Sequence, residues 1–354
     1  MIGRVVVLGE YQGREAAALV VDGRLEDLLL EVDDTSGFAP GAILRGIVDR
    51  PMKGQGGVFV KLPGTSGFLR ETGGLAPGQP VLVQVSGHAE PGKALPVTSR
   101  LLFKSRLAIV TPSAPGLNVS RRIRETEERA RLEGLAAAAM AGSAAGLILR
   151  SAAASEGDAA ITGDIAAMRD LAEAVLADLK GTPELLVDAP GPHEEAWRDW
   201  ADPAPDEVAE DEGCFAHHGI DEMIDTLLSP LVPLAGGGHM AIEPTRALVA
   251  VDVNTGPDTS PAASLKANIA AARDLPRQLR LRGLGGQIIV DFAPMPKRDR
   301  ATLEQQLRAA FKGEAAETSL AGWTPLGNFE LQRKRDRVPL SELLGPEASR
   351  VQRP

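Results

Sequence analysis

The chain has 354 residues, a formal net charge of −10 and one cysteine. This length allows a substantial core and favours two or more domains. A single cysteine excludes an internal disulfide, and the negative net charge argues against a protein that coats nucleic acid through its overall charge. No apolar run is long enough to span a bilayer and the first residues do not resemble a secretion signal, so the sequence predicts a cytoplasmic protein.

The charges are segregated along the chain. Nine of the 19 positions in residues 194–212 are acidic, and this segment is predicted to be a solvated loop or linker. Basic residues cluster at 120–124, 277–282 and 332–337. A local basic channel therefore remains compatible with the acidic composition.

The first hundred residues are predicted to form short strands. Residues 17–31 favour two strands around Asp22 and Gly23, a pair typical of a two-residue hairpin turn. Residues 36–98 contain short apolar runs separated by Gly and Pro, which indicates a small barrel. Phe59 and Phe68 lie on neighbouring predicted strands, where their rings could stack on unpaired bases or fill the barrel core. Composition alone favours the core.

The next segment alternates between helix and strand. Residues 120–142 favour a helix, and residues 145–151 form a predicted strand that ends in Arg150 and Ser151. A second predicted helix starts at Thr162 and ends at Gly181. An arginine and a hydroxyl at a strand end can share the oxygens of a phosphate, although an ordinary surface arginine is the simpler interpretation of Arg150.

Residues 247–294 carry the most informative pattern. The strand ALVAVDVN looks apolar enough to be covered on both faces, yet it contains Asp252 and Asn254. A helix over about 264–282 and a second apolar strand, QIIVDFAP, follow it. Strand, helix and strand in this order predict a parallel pair whose carboxyl ends meet at one edge. Asp252, Asn254 and Asp291 should therefore converge.

Carboxylate and amide oxygens are ligands typical of Mg²⁺ or Mn²⁺, and a divalent cation would relieve the repulsion between two carboxylates. The alternative is that both aspartates cap helices or pair with arginine. We expect no zinc, because Cys214 and the nearby histidines 217, 218 and 239 have no spacing typical of a zinc site.

The predicted helix between the two strands carries a basic stripe. Lys266, Arg273, Arg277 and Arg280 share one side of a helical wheel, and Pro276 is expected to bend the helix or end it early. A basic stripe beside a metal site would suit a polyanion, although such a stripe is usually a solvated face.

These segments resemble the ribonuclease E/G family, above all ALVAVDVNTG at 247–256 and NIAAARDLPRQLRLRGLGGQIIVDFAPM at 268–295. Similar segments occur in the family's order at 41–50, 56–69, 81–102, 116–123 and 146–152. The resemblance implies a mixed α+β and α/β multidomain chain. In this arrangement an OB-fold barrel and a 5′-sensor region split a ribonuclease H-like domain into two segments. A deoxyribonuclease I-like catalytic domain follows. The implied boundaries are 1–35 and 183–228 for the ribonuclease H-like domain, 36–98 for the OB-fold barrel, 99–182 for the 5′-sensor region and 229–354 for the catalytic domain.

The resemblance also implies an activity. Family members are Mg²⁺-dependent endoribonucleases that cut single-stranded RNA at A/U-rich sites, favour 5′-monophosphate ends and leave 5′-phosphate and 3′-hydroxyl products in RNA processing and decay. Asp252 and Asp291 match the family's metal ligands, and Asn254 matches the neighbouring asparagine that positions water or the scissile phosphate. Arg150 and Ser151 match the Arg-Thr pair of the 5′-phosphate sensor.

The resemblance assigns RNA contacts to the OB-fold barrel, where Phe59, Phe68 and Lys93 match the family's RNA-binding positions; this reverses the preference for a core role of the two rings. Arg277 and Arg280 of the basic stripe are further predicted RNA contacts.

The chain also departs from the family pattern. It contains neither the cysteine pair of the family's zinc link nor the small domain that follows it, so we expect a shortened member that is a monomer or dimer rather than a zinc-linked tetramer. Arg246 and Ala270 replace glutamates, and Pro276 interrupts the helix. Two alternatives stay open: a non-catalytic RNA-binding protein of the same fold, and a metal-dependent phosphoesterase that acts on small nucleotides.

Overall fold

A computed structural model describes residues 3–32, 37–52, 54, 56–70, 73–89 and 92–345. The chain divides into two compact units. The first unit comprises Met1–Gly23 and Leu29–Cys214, and the second comprises Arg24–Leu28 and Phe215–Pro354. Both strands and helices occur in each unit, so the fold is mixed α/β.

Within its described residues, the first unit contains these elements in chain order: β1 (Arg4–Tyr11), β2 (Arg14–Val21), β3 (Arg24–Leu30, whose first five residues belong to the second unit), β4 (Ile43–Pro51), β5 (Val58–Leu62), β6 (Thr65–Leu69), β7 (Pro80–Val85), β8 (Leu95–Thr98), β9 (Phe103–Lys104), β10 (Ala108–Thr111), β11 (Leu117–Val119), α1 (Thr126–Ala139), β12 (Gly146–Leu149), α2 (Asp158–Ala177), β13 (Glu184–Val187), α3 (Pro192–Asp199) and β14 (Glu207–Ala209).

The first strands form a small sheet that α3 covers. β1 pairs antiparallel with β2 and parallel with β14. The turn between β2 and β3 has positive φ at both Asp22 and Gly23, which confirms the predicted two-residue turn. The prediction that residues 194–212 form only a solvated loop is wrong. Pro192 and two glutamates suit the first turn of α3, and Ala196 and Trp200, four residues apart, pack on this sheet.

The predicted barrel is confirmed. Strands β4, β5, β6, β8 and β7 are hydrogen-bonded in this order, and the pairing of β7 with β4 closes the ring. Alternate residues such as Val58, Val60 and Leu69 fill its interior. A closed five-stranded barrel is consistent with an OB-like domain. β13 adds antiparallel to β4, so residues 184–187 lie against the barrel, whereas the sequence grouped them with the first hairpin.

Arg45 is a buried cation on β4, with 4% of its surface exposed. Its guanidinium donates to the backbone oxygens of Thr182 and Asp178 at 2.8 and 3.0 Å, and it pairs with the carboxylates of Asp178 and Glu184. Gly181, at φ +151°, leaves room for this group, because a Cβ there would lie 2.7 Å from the guanidinium carbon. Arg45 therefore ties the barrel to the segment after α2.

Replacing Arg45 with methionine should lower the free energy of unfolding by about 2–4 kcal/mol, because the hydrogen bonds and ion pairs of this buried guanidinium are lost together. Urea denaturation measures this change. Arg50→Met on the same strand is the control, since Arg50 is exposed and should cost less than about 1 kcal/mol. Equal losses in the two variants would contradict the assigned role of Arg45.

The remaining part of the first unit is a helix layer on a four-stranded sheet. The strand order is β11, β12, β10, β9, and α1 and α2 contribute Leu132, Ile161 and Ile165 to its core. The prediction that Thr162 opens the second helix is wrong. α2 begins at Asp158, and the Thr162 hydroxyl donates to the backbone oxygen of Asp158 within the first turn.

Within its described residues, the second unit contains α4 (Cys214–His217, which starts on the last residue of the first unit), α5 (Ile220–Leu228), β15 (Leu231–Pro233), β16 (His239–Pro244), β17 (Val249–Asn254), α6 (Pro261–Leu281), β18 (Gly286–Asp291), a 3₁₀ turn (Lys297–Asp299), α7 (Arg300–Phe311), β19 (Thr318–Trp323), β20 (Phe329–Arg333) and α8 (Leu340–Leu344).

These strands form one sheet in the order β15, β16, β17, β18, β20, β19. β17 and β18 are parallel, as predicted, and every other pair is antiparallel. Buried residues of α6 and α7 pack with Val251, Val253 and Val290 on one face of the sheet. The expectation that the strand ALVAVDVN is covered on both faces is wrong, because its alternate residues are exposed or partly exposed.

α6 runs through Pro276 to Leu281, which confirms the predicted helix over about 264–282 and excludes the alternative that Pro276 ends it early. Pro276 lies among the buried residues of the helix, where burial outweighs the lost backbone hydrogen bond. Ser260 caps the amino end by accepting a hydrogen bond from the Ala263 backbone N–H at 3.2 Å. Within the residues described, no helix has both the length and the apolar composition needed to cross a bilayer.

Candidate active site and RNA interface

Two carboxylates lie side by side at the carboxyl ends of β17 and β18. Asp252 is paired in register with Asp291, so the two residues occupy neighbouring parallel strands about 4.8 Å apart. Both are exposed, while Val251, Val253 and Val290 point into the core. The strict alternation of the strands therefore presents the carboxylates on the face that the helices leave uncovered.

Asn254 is joined to this pair. Its side-chain N–H donates to Oδ2 of Asp252 at 2.6 Å. Across the part of the chain that the structure describes, neither Asp252 nor Asp291 forms an ion pair with a lysine or arginine. The three predicted residues are thus brought together, and the alternative that arginines neutralise the two aspartates has no support among the described contacts.

This arrangement fits a divalent cation that keeps part of its water shell. Two adjacent carboxylates without a cation repel each other, and the hydrogen bond from Asn254 fixes one of them. Among the described residues no group of three or more His, Cys, Asp or Glu side chains could enclose a metal ion. Two adjacent carboxylates are a ligand set that a divalent cation such as Mg²⁺ or Mn²⁺ can use, because these ions are often held by one or two carboxylates and water.

The basic stripe of α6 lies on the opposite side of the sheet from these carboxylates, since α6 packs on the core face. Arg277 donates to Asp274 and to the backbone oxygen of Leu25, each at 2.7 Å. Arg280 donates to the backbone oxygen of Glu26 at 2.7 Å and pairs with Glu314. Two members of the expected stripe, Arg277 and Arg280, therefore contact the segment 24–28 and neighbouring acids.

The barrel presents the two predicted aromatic residues on its outer surface. Phe59 on β5 is directly opposite Phe68 on β6, with ring centroids 5.5 Å apart, and both rings are half-buried. The guanidinium of Arg50 lies 5.0 Å from the Phe59 ring. Gly57 is required beneath Phe68, because a Cβ there would lie 2.6 Å from the ring. Lys93 is exposed in the segment before β8.

Exposed cations lie near the aromatic pair. Lys61 alternates with Phe59 along β5 and therefore shares its outer face, and Arg70, the exposed residue directly after β6, is two positions beyond Phe68. Aromatic rings beside cations are typical of surfaces that bind single-stranded nucleic acid. The sequence analysis did not identify Arg50, Lys61 or Arg70 as candidate RNA contacts. The period-two alternation of strand residues nevertheless predicts that Lys61 and Arg70 are on the same side as the two rings.

The predicted phosphate residues Arg150 and Ser151 both line a pocket of about 40 Å³ in the first unit. Arg106, Arg122 and Arg198 line the same pocket. The Arg150 guanidinium donates to the backbone oxygens of Ser105 and Arg198 at 2.7 and 3.0 Å, which fixes its position. A pocket with several fixed guanidinium groups and a hydroxyl can bind a small anion.

Asp199, at the end of α3, already neutralises part of this pocket. Its carboxylate accepts a hydrogen bond from Arg150 at 2.5 Å and another from Arg198 at 2.8 Å. Burial alone would raise the pKa of Asp199, but the hydrogen bonds and charges of Arg198 and Arg150 outweigh burial and lower this pKa below its ordinary value. An incoming phosphate would have to compete with this carboxylate.

The lowered pKa of Asp199 predicts a pH-dependent stability. A carboxylate whose pKa is lowered by folding stabilises the protein above its unfolded pKa of about 3.9, and this stabilisation is lost as the pH falls through the folded pKa. Wild type should therefore have a higher thermal midpoint than Asp199→Asn at pH 7, and the difference should shrink below about pH 4. Asp170→Asn, at an exposed ion pair, is the control. A difference that stays constant with pH would contradict the prediction.

A sequence profile of the ribonuclease E/G family matches residues 103–213 and 207–336. The chain belongs to the ribonuclease E/G family. This confirms the resemblance found in the sequence.

Curated relatives within the ribonuclease E/G family align over most of this chain. It is 28% identical to ribonuclease E of Nostoc sp. and 29% identical to ribonuclease E of Synechocystis sp.; each alignment covers 97% of this chain and 57% or 58% of the relative. It is 30% identical to ribonuclease G of Escherichia coli, over 75% of this chain and 62% of that protein. The chain therefore spans about three fifths of the length of these relatives.

The sequence analysis missed two further features of this ribonuclease E/G family member, one opposite Asn254 and one in the chain that follows Asp291. His239 on β16 is directly opposite Asn254 and therefore points to the same face of the sheet. Lys297 and Arg298 are exposed in the 3₁₀ turn that follows Asp291. The alternation of β16 would have predicted the position of His239, whereas nothing in the spacing alone predicts the turn.

Proposed function

We propose that this chain is a metal-dependent endoribonuclease that hydrolyses single-stranded RNA. The observation that carries the proposal is the side-by-side placement of Asp252 and Asp291 on the exposed face of the sheet, with Asn254 bonded to Asp252. The names of the family relatives, ribonuclease E and ribonuclease G, support RNA as the substrate.

In this proposal Asp252 and Asp291 hold Mg²⁺, or Mn²⁺ in its place. The cation, when bound, supplies positive charge for the phosphoryl oxygens and makes water more acidic. Asn254 keeps Asp252 in one orientation and positions the scissile phosphate or the attacking water. Water attacks phosphorus, the bond from phosphorus to the 3′ oxygen breaks, and this oxygen takes a proton. The products carry a 5′-phosphate and a 3′-hydroxyl.

The RNA-binding surface in this proposal is the outer face of the barrel. Phe59 and Phe68 stack on bases, while Lys93 and the neighbouring cations Arg50, Lys61 and Arg70 contact phosphates. Stacking tolerates any base, and a preference for A/U-rich RNA would follow from the weak secondary structure of such RNA. We assign Arg277 and Arg280 to the packing of the second unit rather than to RNA, because their contacts lie on the core side of the sheet.

The pocket around Arg150 and Ser151 binds the 5′-monophosphate of the substrate in this proposal. Arg150 is fixed by two backbone oxygens, and the Ser151 hydroxyl supplies a further donor. A fixed guanidinium and a hydroxyl prefer a phosphate dianion to a 5′-hydroxyl through charge-assisted hydrogen bonds. Asp199 lowers the net positive charge of the pocket, so we expect the preference for 5′-monophosphate ends to be modest.

The domain identities are part of the proposal. Residues 1–35 and 183–228 would form a ribonuclease H-like domain, 36–98 the OB-fold, 99–182 the 5′-sensor region, and 229–354 a deoxyribonuclease I-like catalytic domain. The protein would act in the cytoplasm in RNA processing and decay.

The decisive assay incubates purified protein with an end-labelled A/U-rich oligonucleotide in matched 5′-monophosphate and 5′-hydroxyl forms. Internal cleavage that requires Mg²⁺, stops with EDTA and is faster on the 5′-monophosphate form is the expected result. Tight binding of the oligonucleotide without products at any Mg²⁺ or Mn²⁺ concentration would overturn the proposal in favour of a non-catalytic RNA-binding protein. Cleavage of small nucleotides alone would favour a phosphoesterase.

A further inference from the structure

An exposed tryptophan lies beside the arginine-rich pocket of the first unit. Trp197 on α3 has 54% of its surface exposed, whereas Ala196 and Trp200 from the same region are buried at 1% and 6%. α3 is therefore anchored through other residues, and the Trp197 ring is not needed for the core. Its large apolar face remains available to a planar partner.

Arg106 connects this ring to the pocket. Its guanidinium carbon lies 5.3 Å from the centroid of the Trp197 ring, and Arg106 is also one of the residues that line the pocket. The terminal nitrogen of Arg106 donates to Glu156 at 2.7 Å. Its Nε is buried and has no hydrogen-bond partner among the described residues.

The pocket has the size of the phosphate group of a nucleotide. A volume of about 40 Å³ holds roughly three water-sized groups, which matches the three terminal oxygens of a phosphomonoester. When a 5′-phosphate occupies the pocket, the attached nucleoside extends out of it, and Arg106, which lines the pocket, also contacts the Trp197 ring.

We propose that Trp197, supported by Arg106, is a stacking site for the 5′-terminal base of an RNA whose 5′-phosphate lies in the pocket. The inference rests on the proposed function in taking 5′-phosphorylated RNA as the ligand. It adds a base contact to a phosphate contact. Because stacking depends on ring area and not on a hydrogen-bond pattern, purine 5′ ends should bind more tightly than pyrimidine 5′ ends.

The test uses the intact protein and measures dissociation constants for adenosine 5′-monophosphate, uridine 5′-monophosphate, adenosine 3′-monophosphate, adenosine and inorganic phosphate by calorimetry. Adenosine 5′-monophosphate should bind at least about tenfold more tightly than inorganic phosphate, as expected for one base stacked on an aromatic side chain. Trp197→Ala should abolish this advantage, Trp197→Phe should keep most of it, and the affinity for inorganic phosphate should stay unchanged in both. Leu176→Ala, which removes another exposed apolar side chain of the first unit, should change nothing.

Equal affinities for adenosine 5′-monophosphate and inorganic phosphate in wild type would overturn the inference. An equal loss of affinity for both ligands in Trp197→Ala would also overturn it, since a merely structural role of Trp197 would weaken the whole pocket. Equal affinities for adenosine 5′-monophosphate and adenosine 3′-monophosphate would overturn it as well. These measurements need no cleavage. Failure of the stacking site therefore leaves RNA hydrolysis intact, and failure of hydrolysis leaves nucleotide binding measurable.

Discussion

Asp252→Asn should lower kcat/KM for RNA cleavage by about a thousandfold, which corresponds to about 4 kcal/mol of transition-state stabilisation. The substitution preserves the size of the side chain but removes one of the two charges that face each other across β17 and β18. Because both residues are exposed, the fold should tolerate the change, and the thermal midpoint should stay close to that of wild type. Single-turnover cleavage of a labelled oligonucleotide at saturating protein measures the effect on chemistry.

Glu243→Gln is the matched control for this substitution. Glu243 is an exposed carboxylate on β16 that faces the same side of the sheet, but its neighbour on β17 is Ala250 and not an aspartate. The control should change kcat/KM by less than about threefold, since an exposed carboxylate outside the Asp252–Asp291 pair acts only through a charge that salt screens. An Asp252→Asn enzyme with wild-type kcat/KM, or an equal loss in the control, would show that the carboxylate pair does not carry the reaction.

Replacing Phe59 and Phe68 together with alanine should raise KM for single-stranded RNA by roughly 30-fold to 1000-fold, or about 2–4 kcal/mol. The two rings lie opposite each other outside the barrel interior, so their loss removes stacking surface and spares the core made by Val58, Val60 and Leu69. kcat should change little, because the rings would bind substrate and transition state equally. Fluorescence anisotropy with a labelled oligonucleotide gives the affinity independently of cleavage.

The control removes two exposed apolar side chains elsewhere in the first unit. Leu117 on β11 and Ile148 on β12 are 44% and 37% exposed, and their double alanine variant should bind RNA as wild type does. Unchanged RNA affinity in the Phe59 and Phe68 double variant would assign the rings a packing role. A loss of affinity in both double variants would point to a general effect of surface truncation.

The sequence predicted the local geometry of the carboxylate pair well, for a physical reason. The order of strand, helix and strand requires a parallel pair, and the period-two alternation then puts Asp252 and Asn254 on one face. The structure adds the register that brings Asp291 beside Asp252. The sequence did not reveal which face the helices cover, because the apolar run alone cannot distinguish a strand that is covered on one face from one covered on both.

Contacts between residues far apart in the chain explain the other differences. The helical wheel grouped Arg277 and Arg280 correctly, but their partners lie in residues 24–28, some 250 positions earlier. α3 forms within a strongly acidic segment because Ala196 and Trp200 pack on β1 and β2, which local composition does not reveal. Tertiary packing thus decided the role of residues whose local pattern allowed two interpretations.

The central claim is that Asp252 and Asp291 together hold a divalent cation. Titration with Mn²⁺ followed by electron paramagnetic resonance, in wild type and in the Asp252→Asn and Asp291→Asn variants, tests it most directly because free and bound Mn²⁺ give different spectra. We expect saturable binding in wild type that each substitution weakens by at least about tenfold, with Glu243→Gln unchanged. Mn²⁺ binding that is equally strong in wild type and in both aspartate variants would contradict the account.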